Sequence, residues 1–286
     1  MRLHRETAEV FVPDGSAAES ALSRTTHLGI SAHQDDLEIM AFPGIMECFQ
    51  REDLWFTGVS VTDGSGSPRD GAYRDYTDRQ MQLVRRAEQK KAAVVGEYSA
   101  QILLDHPSSA VKDPAGQAVV EDLQAVLRAT HPATVYTHNL ADKHDTHVAV
   151  ALRVVRALRT LEPAERPRKV YGCEVWRDLD WMADAQKVAF DVSAHENLQS
   201  ALLGIYDSQI AGGKRYDLAT MGRRRANATY FASHGVDTTT GTSFAMDLTP
   251  LIEDPNLPVG EFVQGFIDAL RKEVADRLLK VGGPQK

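Results

Sequence analysis

Thr26-His27-Leu28-Gly29-Ile30-Ser31-Ala32 runs directly into His33-Gln34-Asp35-Asp36-Leu37-Glu38. The first seven residues read as a core strand, and the next six carry one imidazole and three carboxylates. Similar short apolar runs recur at Trp55–Thr62, Ala100–Leu104, Ala133–Thr137, Lys169–Val175 and Lys187–Val192. Longer stretches between and after them place apolar residues at helical spacing: Thr77–Glu97, Val119–Ala129, His147–Leu161, Ala194–Ile210 and Glu261–Leu279. Strands alternating with helices of that length predict an α/β fold, a Rossmann-like, mostly parallel sheet with helices on both faces. Ligands of such sheets bind outside the carboxyl ends of the strands, so polar clusters in the loops after strands are the places to look for chemistry.

A chain of 286 residues is at the upper end of one large domain. We read residues 1–286 as one, with a core at about 26–210 and a C-terminal elaboration at about 211–286. Within the latter, 213–258 has weak periodicity and reads as a cover over the site or a contact between copies. Its Thr238-Thr239-Thr240-Gly241-Thr242 run reads as an exposed loop. The balance of 32 basic against 40 acidic residues, a formal charge of −8, disfavours nucleic acid as a partner. No stretch approaches the roughly 20 apolar residues of a membrane span, and no apolar run follows the charged N-terminus as in a signal peptide. Two cysteines, Cys48 and Cys173, build neither a disulfide framework nor a thiolate zinc site, which fits the cytoplasm. Any metal must therefore be held by nitrogen and oxygen, from among ten histidines and the carboxylates.

Two clusters carry the chemistry. In the first, His33, Asp35, Asp36 and Glu38 crowd like charges that a divalent cation would relieve. The second, His138-Asn139-Leu140-Ala141-Asp142-Lys143-His144-Asp145-Thr146-His147, follows the fourth run and enters an amphipathic helix. His144 and His147, three apart, share a helix face. One nitrogen from this pair, with His33 and Asp36, gives two imidazoles and one carboxylate with a position open to water, the pattern of catalytic zinc. His138 stands at the strand end as a candidate substrate contact. His4, His106, His131, His195 and His234 are isolated and read as structural or surface residues, and His27 as packed. The loop Gly64–Gly71 lacks nucleotide-binding spacing and reads as a site-flanking loop.

At these residues the sequence resembles the PIG-L/LmbE-like zinc-dependent N-deacetylase family, marked by His-Pro-Asp-Asp-x-Glu and His-x-Asp-His segments. Here they stand as His33-Gln34-Asp35-Asp36-Leu37-Glu38 and His144-Asp145-Thr146-His147, with Gln34 for proline and Thr146 for aspartate. Weaker echoes are Thr62-Asp63-Gly64, Arg85-Arg86-Ala87-Glu88, Cys173-Glu174-Val175-Trp176 and Ser208-Gln209. The resemblance implies one Zn2+ per chain, or another divalent metal, held by His33, Asp36 and His147. It implies Asp35 as general base, and His144 as support for the oxyanion or proton donor to the leaving amine. Arg85 would contact substrate. Thr146 removes a carboxylate that could orient a histidine, and Asp145 or Asp142 is the candidate replacement.

The implied reaction is hydrolysis of an N-acetyl or N-acyl group from a small-molecule amino sugar or sugar conjugate. One alternative keeps the metal and hydrates an unsaturated keto-acid, for which Arg74, Arg79, Arg85 and Arg223-Arg224-Arg225 would supply carboxylate contacts. Another is a non-catalytic relative. The sequence leaves the substrate's identity and any homo-oligomer open.

Overall fold

The computed structural model describes residues 1–283. Eight strands, β1 (Glu9–Phe11), β2 (His27–Ser31), β3 (Phe56–Thr62), β4 (Ala100–His106), β5 (Thr134–His138), β6 (Lys169–Cys173), β7 (Val188–Asp191) and β8 (Thr242–Asp247), form one sheet. Their order is β1-β4-β3-β2-β5-β6-β8-β7. The five central strands, β4 to β6 in that order, are parallel. β1 joins β4 antiparallel, and β8 joins both β6 and β7 antiparallel. The fold is thus the mostly parallel α/β architecture that the alternating pattern implies.

Alternation along the strands sends side chains into two cores. Leu28, Ile30, Val59, Val61, Ile102 and Val135 face the helices Ala118–Thr130 and Asp145–Arg159. Phe56 and Tyr136 face the helices Asp36–Met40, Phe42–Cys48, Asp78–Val95 and Glu196–Gly204. Glycines on that second face set how closely the first of these helices approaches. A Cβ at Gly29 would lie 2.7 Å from Leu37 Cδ2, and one at Gly58 2.7 Å from Leu37 Cδ1. Leu37 therefore beds on two bare strand positions and pins the helix that carries Asp36.

Four local expectations change. The 211–286 stretch contributes β8 to the sheet, between β6 and β7. Residues 238–240 stay at the surface, but Gly241 and Thr242 are buried as β8 begins. The expected helix over 194–210 is broken at Ile205 and Tyr206 into Glu196–Gly204 and Asp207–Ile210, which turns Ser208 and Gln209 inward. Tyr216–Tyr230, with no helix expected, is helical. Both cysteines are free and buried. Among the described residues, no helix is long and apolar enough to cross a membrane.

Successive strands step from β2 through β3 to β4 on one side, and then the chain returns to place β5 on the other side of β2. This reversal opens a crevice above the carboxyl ends of β2 and β5. Both titratable clusters emerge there.

Candidate metal centre

β2 ends at Ser31, and the chain turns through His33 and Asp35 into the Asp36–Met40 helix. Asp35 makes the turn with φ of 102°, a region that an ordinary side chain occupies only under strain. Across the crevice, β5 ends at His138 and the chain re-enters helix at Asp145, with His144 as its N-cap. His144 Nδ1 accepts from the Thr146 N–H at 3.3 Å, leaving Nε2 as its protonated nitrogen.

Three atoms from the two loops meet. His33 Nδ1 is 3.1 Å from Asp36 Oδ2 and 3.2 Å from His147 Nε2, and the last two are 3.4 Å apart. A tetrahedral ion with bonds of about 2.0–2.1 Å separates its ligand atoms by about 3.3–3.4 Å. The triangle therefore fits one face of such a site, and its N,N,O set suits zinc. His33, His144 and His147 also lie close enough to share an ion, as do Asp36, His138 and His147. The last set lacks a free lone pair, because His138 Nε2 accepts the Ala32 N–H at 2.8 Å.

Electrostatics in the protein without its cation show what the site wants. Burial alone would lower the His147 imidazole, but Asp36 and Asp142 raise it to about 9. Burial would raise the Asp36 carboxyl, yet His147, His33 and His138 hold it well below its ordinary value. A proton on His147 thus occupies the place of positive charge, and a cation would displace it. Burial pushes Asp35 well above the usual carboxylate range, opposed by Arg85, whose guanidinium is 3.2 Å from Asp35 Oδ1. Burial, then His147 and His33, pull His144 down to about 4, so it is neutral at pH 7.

Asp142 is buried, and its Oδ2 accepts from His147 Nδ1 at 3.3 Å and from the Trp176 N–H at 3.2 Å. Its Oδ1 accepts the His144 N–H at 3.1 Å. Asp145 is exposed. Of the two carboxylates that could compensate for Thr146, the structure places Asp142 against the metal-side histidine.

A cavity of about 380 Å3 opens over the triangle, with His33, Asp35, Asp36, His144 and Arg85 in its wall. The Gly64–Pro68 part of the flanking loop closes one side, and Trp176 and Gln209 another. Arg85 is committed to the protein, donating to the Gln34 carbonyl, Ser67 Oγ and Asp35. That arrangement makes it first a partner of Asp35. His138 is wholly buried beneath the site, stacked on His147 at 3.9 Å between ring centres, and is not in the cavity wall.

Glu38 departs from the expectation of three carboxylates around one cation. Its carboxylate points into the second core, accepting from Tyr98 Oη at 2.7 Å, Tyr206 Oη at 2.6 Å and Gln89 Nε2 at 3.0 Å. Burial raises it to about 7. Two positions along a helix turn a side chain to the far side, which adjacency in sequence conceals. The cavity also holds Lys112 and Lys214, which sequence reasoning passed over. Lys214 lies in the weakly periodic stretch, its Nζ 5.0 Å from the Trp176 ring centre. Neither lysine sits in a motif, so only the fold reveals them.

Residues 28–158 match the family model described as PIG-L, GlcNAc-PI de-N-acetylase, a stretch that contains both metal-side motifs. That match spans somewhat under half of the chain, and over it the chain is similar to this family. No curated relative matches the sequence. Among solved structures it is similar to GalB, the 4-carboxy-2-hydroxymuconate hydratase from Pseudomonas putida, with TM-score 0.58, 17% identity, and 78% of this chain and 96% of that one covered. It is also similar to the N,N'-diacetylchitobiose deacetylase from Pyrococcus horikoshii, with TM-score 0.57, 15% identity, and 77% and 83% covered. A third is the zinc-inhibited form of teicoplanin deacetylase, with TM-score 0.54, 16% identity, and 77% and 97% covered. At such identities these likenesses are of fold.

Proposed function

We propose that this chain is a zinc-dependent hydrolase that removes an N-acetyl or other N-acyl group from an amino sugar or sugar conjugate. His33, Asp36 and His147 would hold one ion per chain. The observation that carries the reading is the triangle of His33 Nδ1, Asp36 Oδ2 and His147 Nε2, of which His33 and Asp36 line one cavity together with Asp35 while His147 lies buried behind them. The family match over residues 28–158 adds support, and two of the fold neighbours are themselves described as deacetylases.

When bound, the ion would supply positive charge that polarises the amide carbonyl and acidifies a water beside it. Asp35 accepts the proton as the water oxygen attacks the amide carbon. Arg85, 3.2 Å away, aims the Asp35 carboxylate and favours its ionised form. Neutral His144 offers its Nε2–H to the carbonyl oxygen as negative charge builds there. The carbon–nitrogen bond then breaks, the proton held by Asp35 passes to the departing nitrogen, and a carboxylic acid and an amine result. Lys112, Lys214, Gln209 and Trp176 are left to engage the rest of the substrate.

The hydratase neighbour keeps a second reading in play. Of the arginines that reading invokes, only Arg85 reaches this cavity, and both its terminal nitrogens are engaged by Gln34, Ser67 and Asp35. Arg74 is exposed and pairs with Asp70, and Arg225 with Glu196. With Lys112 and Lys214 as its remaining cations and no free arginine fork, the site offers a multiply charged acid no bidentate partner.

Zinc-loaded protein offered N-acetylglucosamine conjugates, with amine release measured, tests the assignment. A parallel assay follows absorbance loss from unsaturated keto-acids. Amine release alone supports the deacetylase, and absorbance loss alone replaces it with the hydratase. Neither activity, with no zinc bound by elemental analysis, favours a non-catalytic relative.

A further inference from the structure

Beside the candidate metal centre lies a second cavity of about 230 Å3. The two meet at Ile39, Val175, Trp176 and Tyr216, which line both. Their chemistry differs. The first presents imidazoles, carboxylates and lysines, whereas the second joins an apolar wall to a few polar groups, several of whose bonds stay inside the protein although Arg224 Nε has no partner. Glu174 accepts from the N–H groups of Leu179 at 2.7 Å and Phe244 at 3.0 Å, and from Asn227 Nδ2 at 3.0 Å. Arg224 donates to Gln199 Oε1 at 2.8 Å and to the carbonyls of Glu38 and Ile39 at 2.9 and 3.0 Å. Arg223 donates to the Val175 carbonyl.

A polar group entering this space would give up water and find few partners, whereas an apolar group would leave water and meet Ile39, Val175, the rings of Trp176 and Tyr216, and Ala219. The far wall comes from the Tyr216–Tyr230 helix, outside the stretch that matches the family. The cavity thus joins Ile39, inside the matched stretch, to residues that follow it.

We propose that the second cavity is a specificity subsite for an apolar ring or short chain carried by the substrate. The proposal rests on the deacetylase reading for its place in a reaction, while its binding chemistry stands apart from that reading. The space suits a substituted ring or a chain of several carbons, since a cavity of about 150 Å3 already admits benzene. Such a group could be the aglycone of the sugar or the acyl group released.

The test compares three substrates of the zinc-loaded protein: methyl N-acetylglucosaminide, its phenyl counterpart, and the methyl glycoside bearing N-hexanoyl. One apolar substrate should exceed the first in kcat/KM by at least about tenfold. A gain with phenyl assigns the subsite to the aglycone, and a gain with hexanoyl assigns it to the acyl group. Ala219→Trp, at an exposed helix position that tolerates bulk, should bring the favoured ratio back towards one. No preference in either arm, or a ratio untouched by Ala219→Trp, overturns the proposal.

Calorimetry with probes that carry no amide separates this outcome from failure of the deacetylase reading. Phenyl β-glucoside is set against methyl β-glucoside, and hexanoate against acetate. Tighter binding of an apolar probe, weakened by Ala219→Trp, upholds the subsite even where no amide is cleaved. Equal binding throughout overturns it.

Discussion

Asp142 Oδ2 accepts the Nδ1–H of His147 at 3.3 Å, so a residue outside both motifs aims the imidazole whose other nitrogen completes the ligand triangle. The same carboxylate holds the His144 and Trp176 amides, tying the second loop to the wall of the cavity. A carboxylate behind a metal-ligating histidine fixes its tautomer and strengthens it as a ligand. Asp142→Asn should weaken zinc by about 10- to 100-fold, measured by competition with a chromophoric chelator. An unchanged affinity would leave His147 without need of its partner.

Asp35 has a different task. Asp35→Asn preserves shape while removing the ability to take a proton. Zinc content should stay near that of the parent protein, while turnover of the acylated sugar falls by about 10²- to 10⁴-fold. Parental turnover by this variant would remove Asp35 from the mechanism.

Gly29 offers a test of how the fold delivers Asp36. A Cβ there meets Leu37 Cδ2 and Phe56 Cζ at 2.7 Å in a packed core. Gly29→Ala should cost about 1–3 kcal/mol in urea unfolding and loosen zinc as well, because Leu37 follows Asp36 directly on the same short helix. Combined with Leu37→Ala, the penalty should fall short of the sum of the single changes. Strict additivity would show that the two positions do not press on one another.

The N-terminal segment is clamped by Asp122, whose carboxylate lies 2.8 Å from His4 Nδ1 and 2.8 Å from His106 Nε2. The hydrogen bond to Asp122 raises His4 from its ordinary 6.5. That contribution is present below pH 6.5 and is lost as pH rises through the raised value. Burial would raise Asp122, but hydrogen bonds from His106 and His4 hold it below 3.8, so its contribution is lost as pH falls through that lowered value. His4→Gln should therefore reduce Tm most between about pH 4 and 6, by about 1–3 °C for so exposed a histidine, with the gap closing at higher pH. Thermal scans across pH would read it, and a gap that widened above pH 7 would contradict the sign.

Much of this was legible from residue order. β2, β3 and β5 are buried on both faces, so they advertise themselves as apolar runs, and the clusters after β2 and β5 stand out because charge is costly there. β1 has three residues and no such pattern. β8 hides in the weakly periodic stretch, although Thr242–Asp247 lies within the sheet. Within the site, loop spacing joins His33 and Asp36 to one nitrogen of the His144 and His147 pair, and only the family resemblance singles out His147. The direction of Glu38 and the choice of Asp142 over Asp145 depend on how loops and helices rotate, which residue order does not report. Lys112 and Lys214, 102 positions apart, converge only through tertiary packing.

The reversal of strand order between β2 and β5 would give an ion bound at the proposed site a mechanical role. His33 and His147 are 114 residues apart and rise from opposite sides of that reversal. An ion gripped by both would act as a rivet across the join, closing a long loop and resisting separation of the two half-sheets. Its removal should then quicken amide hydrogen exchange along the adjoining edges of β2 and β5 well before the rest of the sheet loosens. The same bond that arms the chemistry would help to hold the molecule shut.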